Sequence, residues 1–267
     1  MRHAVLVGSR HLTYLEAGSG GGRTLVLLHA FPLTAEMWQP QLQSPPAGWR
    51  VMAPDFAGLG GSDDHERMAV ALDDYASDVL TWLDRLGIGQ VVLAGLSLGG
   101  YVALALARMA PQRLSGLVLA DTKAPADSAE ARTGRERMLD TLSERGPDGV
   151  AEAMLPKLLG ETTRRTKPEL VSDVRSMILR NPPDGVRRAI LRLRDRPDAS
   201  PVLSGIRVPV LVLVGEEDTV TPPSDAASLQ AGIPHATLQA IPAAGHLSNL
   251  EAPDRFNELL SRFLSTL

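Results

Sequence analysis

Apolar residues along the chain fall into two alternating patterns. Short runs rich in Val and Leu recur: HLTYLEA from His11, TLVLLH from Thr24, WRVMAP from Trp49, QVVLAG from Gln90, LSGLVLAD from Leu114, VPVLVLVG from Val208 and ATLQAIP from Ala236. The runs from Thr24, Gln90 and Val208 are apolar without interruption. A strand covered on both faces, as in a parallel sheet, reads this way. AVLV near the N-terminus adds an eighth strand, predicted to form a hairpin with HLTYLEA across Gly8 and Ser9.

Helical patterns lie between these runs. LDDYASDVLTWLDRLG places Leu72, Tyr75, Ala76, Val79, Leu80 and Leu83 at helical spacing, and Gly87 suits its C-terminal stop. The segment from Leu98 to Met109 is apolar nearly all round and predicts a buried helix. APDRFNELLSRFLSTL closes the chain as an amphipathic helix. Strands alternating with helices imply an α/β fold whose mostly parallel sheet carries helices on both faces.

The alternation stops between about Thr122 and Pro197. Only helical patterns occur there: ERMLDTLSER, GVAEAMLPKLLG, ELVSDVRSMILR and GVRRAILRLRDR. The expected organisation is a core domain, 1–121 with 198–267, and a helical cap, 122–197, over the C-terminal ends of the strands, where α/β sheets bind ligands. Charge supports the division. The cap holds 16 of the 27 Lys+Arg and 12 of the 31 Asp+Glu, so it is +4 and the remainder −8. Its arginines either decorate solvated helix faces or face the cleft and favour an anionic substrate.

The whole chain has 267 residues and a formal charge of −4, which offers nothing to nucleic acid or an anionic membrane. It has no cysteine, excluding disulfides, thiolate metal sites and a cysteine nucleophile. The apolar run at the N-terminus is too short for a signal peptide, and no run approaches the ~20 residues that span a bilayer. The expectation is a soluble, cytoplasmic protein.

Candidate chemistry begins at Gly95-Leu96-Ser97-Leu98-Gly99-Gly100, between a strand and a helix. Glycines there let strand and helix approach closely around a sharp corner, and the corner presents the Ser97 hydroxyl. The helix start offers the Leu98 N–H to a developing negative charge. A serine hydroxyl needs a base. Of six histidines, His246 lies in a glycine-bearing loop after the last strand, at the place the chain order Ser, acid, His requires. His3 and His11 are near the first strands, His235 is at the wrong edge of the sheet, and His65 in DDHER reads as a solvated surface residue. The base needs a carboxylate to orient it. Asp218, three residues beyond VPVLVLVG, is favoured by chain order. Asp121, at the end of LSGLVLAD, is its competitor, with the alternative of capping the first cap helix together with Thr122. Glu216 and Glu217 read as solvated. A second oxyanion donor is expected after TLVLLH, in His29-Ala30-Phe31-Pro32, where the Phe31 N–H would face the site and His29 would brace the loop.

With these motifs in order (HAFP, PDFAGLGGSD, GLSLGG, VGEEDTVTP and AGH), the chain resembles the α/β-hydrolases, in particular the small esterase, lactonase and perhydrolase group. The resemblance covers essentially the whole chain. The family often has Gly where this chain has Ala30 and a larger residue such as Arg at Ala57. LHAFPLTAEMW and LVLADTKAPADS are similar to 3-oxoadipate enol-lactonases. The resemblance implies the α/β-hydrolase fold with a mostly parallel eight-stranded sheet and a helical cap. It implies a Ser97, Asp218, His246 triad, an oxyanion hole from Phe31 and Leu98, and hydrolysis of a carboxylic ester or lactone through an acyl-enzyme. No cofactor or metal is expected. The partner is a small-molecule ester or lactone, not nucleic acid or membrane. The same triad would serve perhydrolysis or carbon–carbon bond hydrolysis, and a non-catalytic ligand receptor on this fold is the remaining alternative.

Overall fold

The computed structural model describes residues 1–19, 22–65 and 70–267. Eight strands form one sheet: β1 (Arg2–Val7), β2 (Arg10–Ala17), β3 (Thr24–Leu28), β4 (Arg50–Pro54), β5 (Val91–Leu96), β6 (Leu114–Ala120), β7 (Val210–Gly215) and β8 (Thr237–Ile241). The order across the sheet is β1-β2-β4-β3-β5-β6-β7-β8. β2 pairs antiparallel with β1 and with β4, and every other pairing is parallel. β3, β5 and β7 are buried along their whole length, as their unbroken apolar runs require. The edge strand β8 alternates less and leaves Thr237, Gln239 and Ala240 exposed.

The helices are α1 (Gln39–Gln43), α2 (Leu72–Arg85), α3 (Leu98–Met109), α4 (Ala129–Leu158), α5 (Glu161–Thr166), α6 (Pro168–Leu179), α7 (Pro183–Arg194), α8 (Ser200–Leu203), α9 (Pro223–Gly232), α10 (Ser248–Glu251) and α11 (Pro253–Leu264). α3 is buried on nearly every side, packed on β3, β5 and β6 and against α2. α2 buries Leu72, Tyr75, Ala76, Val79 and Leu83 as its pattern predicts; Trp82 and Asp78 are buried too, and Leu80 is only half-buried. The chain leaves α2 through Gly87 at φ 67°, and the Ile88 N–H reaches back to the Leu83 carbonyl at 2.9 Å. α11 packs with α1, and its Phe256 meets Trp38 at 5.8 Å. No helix among the described residues is long and apolar enough to cross a membrane.

Between β6 and β7 the described chain is helical, as the pattern predicts. ERMLDTLSER and GVAEAMLPKLLG lie on either side of a break inside α4, where Gly146 takes φ 65° and ψ −165°. Pro147 then starts the second half, a position that tolerates a residue without N–H. α5, in ETTRRT, has no apolar periodicity and was not foreseeable from the pattern.

Buried polar contacts seat the insertion helices on the core. Asn181, at the end of α6, donates from Nδ2 to the Pro32 carbonyl and accepts the Gly60 N–H at Oδ1, both at 2.8 Å. Arg192 is fully buried with its guanidinium 4.3 Å from the Tyr75 ring centre. Arg196 stacks on Tyr101 at 4.0 Å and pairs with Asp127, which also holds Arg135, each at 3.0 Å. Two arginines of the basic segment therefore do neither thing the sequence suggested. They are buried cations lying on aromatic faces, which replace part of the lost hydration.

Removing the Asn181 amide would leave the buried Pro32 carbonyl and the half-buried Gly60 N–H without their partner. Asn181→Ala is expected to lower unfolding free energy by about 2–3 kcal/mol, the scale of an unsatisfied buried donor and acceptor. Urea unfolding of the variant measures it, and a loss under about 0.5 kcal/mol, typical of a surface change, would count against this anchoring.

Candidate active site

Strand register brings the chemistry together. Leu28 pairs with Gly95, Leu96 with Ala120, Ala120 with Leu213, and Gly215 with Ile241. The C-terminal ends of β3, β5, β6, β7 and β8 thus lie side by side. The loops that follow them carry Phe31, Ser97, Asp121, Asp218 and His246.

At the end of β5 the chain turns within one residue. Ser97 has φ 54° and ψ −112°, a conformation that costs a non-glycine residue on the order of 1–3 kcal/mol. Its neighbours hold it there. The Ser97 N–H donates to the Ala120 carbonyl at 3.0 Å, and the Ser97 carbonyl accepts from Gly100 N, Tyr101 N and Thr122 Oγ1 at 2.9, 3.1 and 2.9 Å. The flanking glycines permit the approach. A Cβ on Gly95 would lie 2.2 Å from the Gly99 carbonyl oxygen, and one on Gly99 would lie 2.1 Å from that of Leu28. Gly100 likewise leaves room for Thr122.

Ser97 Oγ lies 2.8 Å from His246 Nε2, and His246 Nδ1 lies 2.8 Å from Asp218 Oδ2. All three residues are buried, with Ser97 the most accessible at 8%. The carboxylate fixes the tautomer. Nδ1–H donates to Asp218, leaving Nε2 free to accept from the Ser97 hydroxyl. Asp218 is itself held: Oδ1 accepts from Val220 N and Thr221 N at 2.8 and 3.0 Å, and Oδ2 from Thr221 Oγ1 at 2.7 Å. Burial alone would push the Asp218 carboxyl up. The charge and hydrogen bond of His246 and the Thr221 donors outweigh it and hold the group below the ordinary range.

Asp121 is fully buried and makes no hydrogen bond to His246 among the described residues. Its oxygens accept from Gly215 N at 2.8 Å and Ser248 Oγ at 2.5 Å. It does not cap α4 either, since Ser128 Oγ accepts the Ala131 N–H there. Burial, then the nearby Asp218 charge, pushes Asp121 well above the usual carboxylate range. Two carboxyls one strand apart thus shift in opposite directions, because only one of them faces the imidazole and the Thr221 donors.

The other loops complete the floor. His29 donates from Nδ1 to the Ala30 carbonyl and accepts the Phe56 N–H at Nε2, both at 3.0 Å. Burial holds His29 below its ordinary value, which suits a ring with one donating and one accepting nitrogen. His29 therefore braces the Phe31 loop against the PDFAGLGGSD loop. The Ala30 N–H is taken by Met37 Sδ at 3.1 Å. Leu98 is the first residue of α3, and neither its N–H nor that of Phe31 has a protein acceptor among the described residues.

Two expectations of solvated side chains are corrected. His65 is 12% exposed and lies 2.9 Å from Asp78 Oδ2, beside Arg10; the next residues of its loop, Glu66 and Arg67, fall outside the described residues. Glu217 is half-buried and accepts from Thr162 N at 2.8 Å and Thr162 Oγ1 at 2.5 Å. Both partners come from distant segments, which composition of the local loop cannot reveal. Sequence reasoning also passed over Thr221, Ser248 and Glu251. Thr221 had a local signal, an Asp-x-x-Thr turn; the other two had none.

A cleft of about 620 Å³ opens between α4 and the core, lined in part by Tyr101 and Val220, near in sequence to Ser97 and Asp218, and by Lys123, Met138, Met154 and Lys157. The family model for the α/β hydrolase fold matches residues 23–253. The chain belongs to the α/β-hydrolase fold family. It is similar to 3-oxoadipate enol-lactonase 2 of Acinetobacter baylyi, 28% identical over 246 residues that cover 92% of this chain and 90% of the relative. Among solved structures, a malate-bound thermophilic esterase from Thermogutta terrifontis superposes with a TM-score of 0.93 at 36% identity, covering 100% of this chain and 98% of that one. The enol-lactonase of Burkholderia xenovorans LB400 superposes with a TM-score of 0.91 at 26% identity over 98% and 100% of the two chains. This α/β-hydrolase is, by family and relatives, a hydrolase.

The opposite shifts of the two carboxyls make a pH prediction. A folded-state pKa raised above the unfolded value gives stability that is present at low pH and lost as pH rises through it. For Asp121 the window opens at the ordinary carboxylate range, about pH 4, and extends upward. Asp121→Asn keeps an oxygen for the Gly215 N–H and an amide for Ser248. The stability difference between wild type and Asp121→Asn should therefore move in the variant's favour between about pH 4 and 8. Urea unfolding across that range measures it, and movement in the opposite direction would remove the raised carboxyl.

Proposed function

We propose that this α/β-hydrolase cleaves a carboxylic ester or lactone through an acyl-enzyme on Ser97. The observation that carries the reading is the unbroken Ser97–His246–Asp218 hydrogen-bond chain. His246 takes the hydroxyl proton as Ser97 attacks the carbonyl. Asp218 keeps the required tautomer and stabilises the imidazolium. The Phe31 and Leu98 N–H groups receive the oxyanion. His246 then returns the proton to the leaving oxygen and activates the water that releases the acid. No step calls on a metal or cofactor.

The basic segment adds substrate preference. Lys123, Arg135, Arg137 and Lys157 line the cleft, against one carboxylate, Asp127, which is already shared by Arg135 and Arg196. Lys123, Arg137 and Lys157 have no ion-pair partner among the described residues. Such a cleft favours an ester or lactone that carries a free carboxylate, and the enol-lactonase relatives agree with that class.

Turnover of activated aryl esters and lactones tests the reaction and separates an enzyme from a ligand receptor. Ser97→Ala should cost about 10⁶-fold in kcat, the scale of losing a serine nucleophile. Asp218→Asn should cost about 10⁴-fold, and Asp121→Asn far less. kcat/KM should fall at acid pH, because His246 must be neutral to accept a proton. Labelling of another serine by an aryl phosphonate would move the nucleophile elsewhere. For substrate class, kcat/KM for a carboxylate-bearing ester should exceed that of its methyl ester, with the advantage shrinking at high salt. Preference for the neutral partner at every salt concentration would leave a general carboxylesterase.

A further inference from the structure

Glu251 closes α10, five residues after His246, and is 98% removed from solvent. Its carboxylate meets three backbone N–H donors and no acceptor. Oε1 accepts from Gly245 N at 2.9 Å and from Leu247 N at 3.1 Å, the N–H groups of the residues on either side of His246. Oε2 accepts from Gly160 N at 2.8 Å, at the junction of α4 and α5 in the insertion. The backbones themselves touch there: a Cβ on Gly245 would lie 2.3 Å from Gly160 N, and a Cβ on Gly160 would lie 2.9 Å from Gly245 N. Lys167, at the N-terminus of α6, donates from Nζ to the Glu251 carbonyl at 2.7 Å. One buried side chain therefore holds the His246 loop on one oxygen and the insertion helices on the other.

We propose that Glu251 is a positioning residue, whose carboxylate sets the His246 backbone and ties it to Gly160, so that seating of the insertion helices and alignment of the imidazole are one adjustment. The inference rests on the reading of His246 as the base. The three N–H donors are matched by acceptor lone pairs on both carboxylate oxygens. Imidazole alignment matters because Nε2 must stay within hydrogen-bond reach of Ser97 Oγ through the reaction, and small displacements of a reacting group are costly. An amide cannot replace the carboxylate. Its one oxygen can keep the Gly245 and Leu247 bonds or the Gly160 bond, and its NH₂ then faces an N–H.

The test compares Glu251→Gln and Gly160→Ala with wild type on an activated aryl ester, with kcat expressed per site titrated by an aryl phosphonate and melting followed in parallel. Per-site normalisation removes any loss of folded protein. Glu251→Gln should lower per-site kcat by about 10- to 100-fold while KM changes less. It should also move the acid limb of kcat/KM to lower pH. The charged groups about the imidazole are Asp218 and Glu251, with Glu217 beside Gly160 and Lys167 at the Glu251 carbonyl, while the Asp121 carboxyl, held by Gly215 N and Ser248 Oγ, is pushed up by its burial and by the Asp218 charge. Deleting one negative charge makes the imidazolium less favourable. A merely structural role would move neither quantity. Gly160→Ala leaves the Glu251 side chain in place, yet its Cβ would lie 2.9 Å from Gly245 N and 2.5 Å from Glu217 Oε2, and per-site kcat should fall about threefold or more. Wild-type per-site kcat and an unmoved acid limb in Glu251→Gln overturn the proposal. Should that variant not fold, wild-type per-site kcat in Gly160→Ala overturns it. His246→Ala separates the underlying reading: if that variant keeps its activity, the base assignment fails whatever Glu251 does.

Discussion

At the end of β5 the backbone must reverse within a single residue, and there is no room to do so unless α3 begins almost in contact with β3. The Gly99 position sets that distance, because any side chain there would strike the Leu28 carbonyl. Ser97 pays in conformation, holding φ 54° while its N–H and carbonyl are both taken by β6 and α3. The strain is local and the restraint is not. Burial of α3 on three strands, together with the Thr122 hydroxyl on the Ser97 carbonyl, over-determines the turn. Relaxing it would mean lifting a helix that is apolar on nearly every face out of the core.

Given that turn, the parallel register does most of the remaining assembly. Adjacent strands that end at the same level deliver their following loops to one edge, whatever the distance between them in sequence. His246 is 149 residues from Ser97 and meets it because β8 lies three strands away in the same row and its loop folds back over β7. Insertion helices between β6 and β7 cover the same edge and are pinned to loops from both halves of the chain, through Asn181 to Pro32 and Gly60 and through Thr162 to Glu217. The basic cleft beside Tyr101 and Val220 follows from where these helices land, since neither α4 nor the β7 loop forms it alone.

Legibility in the sequence followed the range of the interaction. Unbroken apolar runs named the buried strands, because a strand covered on both faces admits little else. Glycine spacing around Ser97 named the turn, because its signal lies within six residues even though Leu28, Ala120 and Thr122, which hold it, do not. Chain order then ranked Asp218 over Asp121, and in the structure His246 Nδ1 lies 2.8 Å from Asp218 Oδ2. What stayed illegible depends on partners remote in sequence. Glu217 and His65 read as solvated because their loops are polar, and nothing nearby announces Thr162 or Asp78. Arg192 and Arg196 fall in a segment whose arginines read as solvated or cleft-facing, because the rings they cover belong to α2 and α3. The break at Gly146 divided two helical patterns as their separation suggested, whereas α5, lacking an apolar stripe, left no trace.

A common physical need underlies the buried acids at this edge. Loops that follow buried parallel strands carry N–H groups with no ladder partner, and each must find an acceptor once water is excluded. Carboxylates supply them repeatedly. Asp55 accepts from Ala35 N and Gly61 N, Asp121 from Gly215 N, Asp218 from Val220 N and Thr221 N, and Glu251 from Gly160 N, Gly245 N and Leu247 N. In this respect Asp218 is one of a set of loop clasps, built by the same rule as its neighbours. It differs in having on Oδ2, beside the Thr221 hydroxyl, a second lone pair for an imidazole. That one extra contact lowers its carboxyl while the charge it then carries helps to raise that of Asp121. A structural clasp with a spare lone pair next to a histidine is therefore enough to orient that histidine, and the separation of a structural acid from an orienting one comes down to which carboxylate the β8 loop can reach.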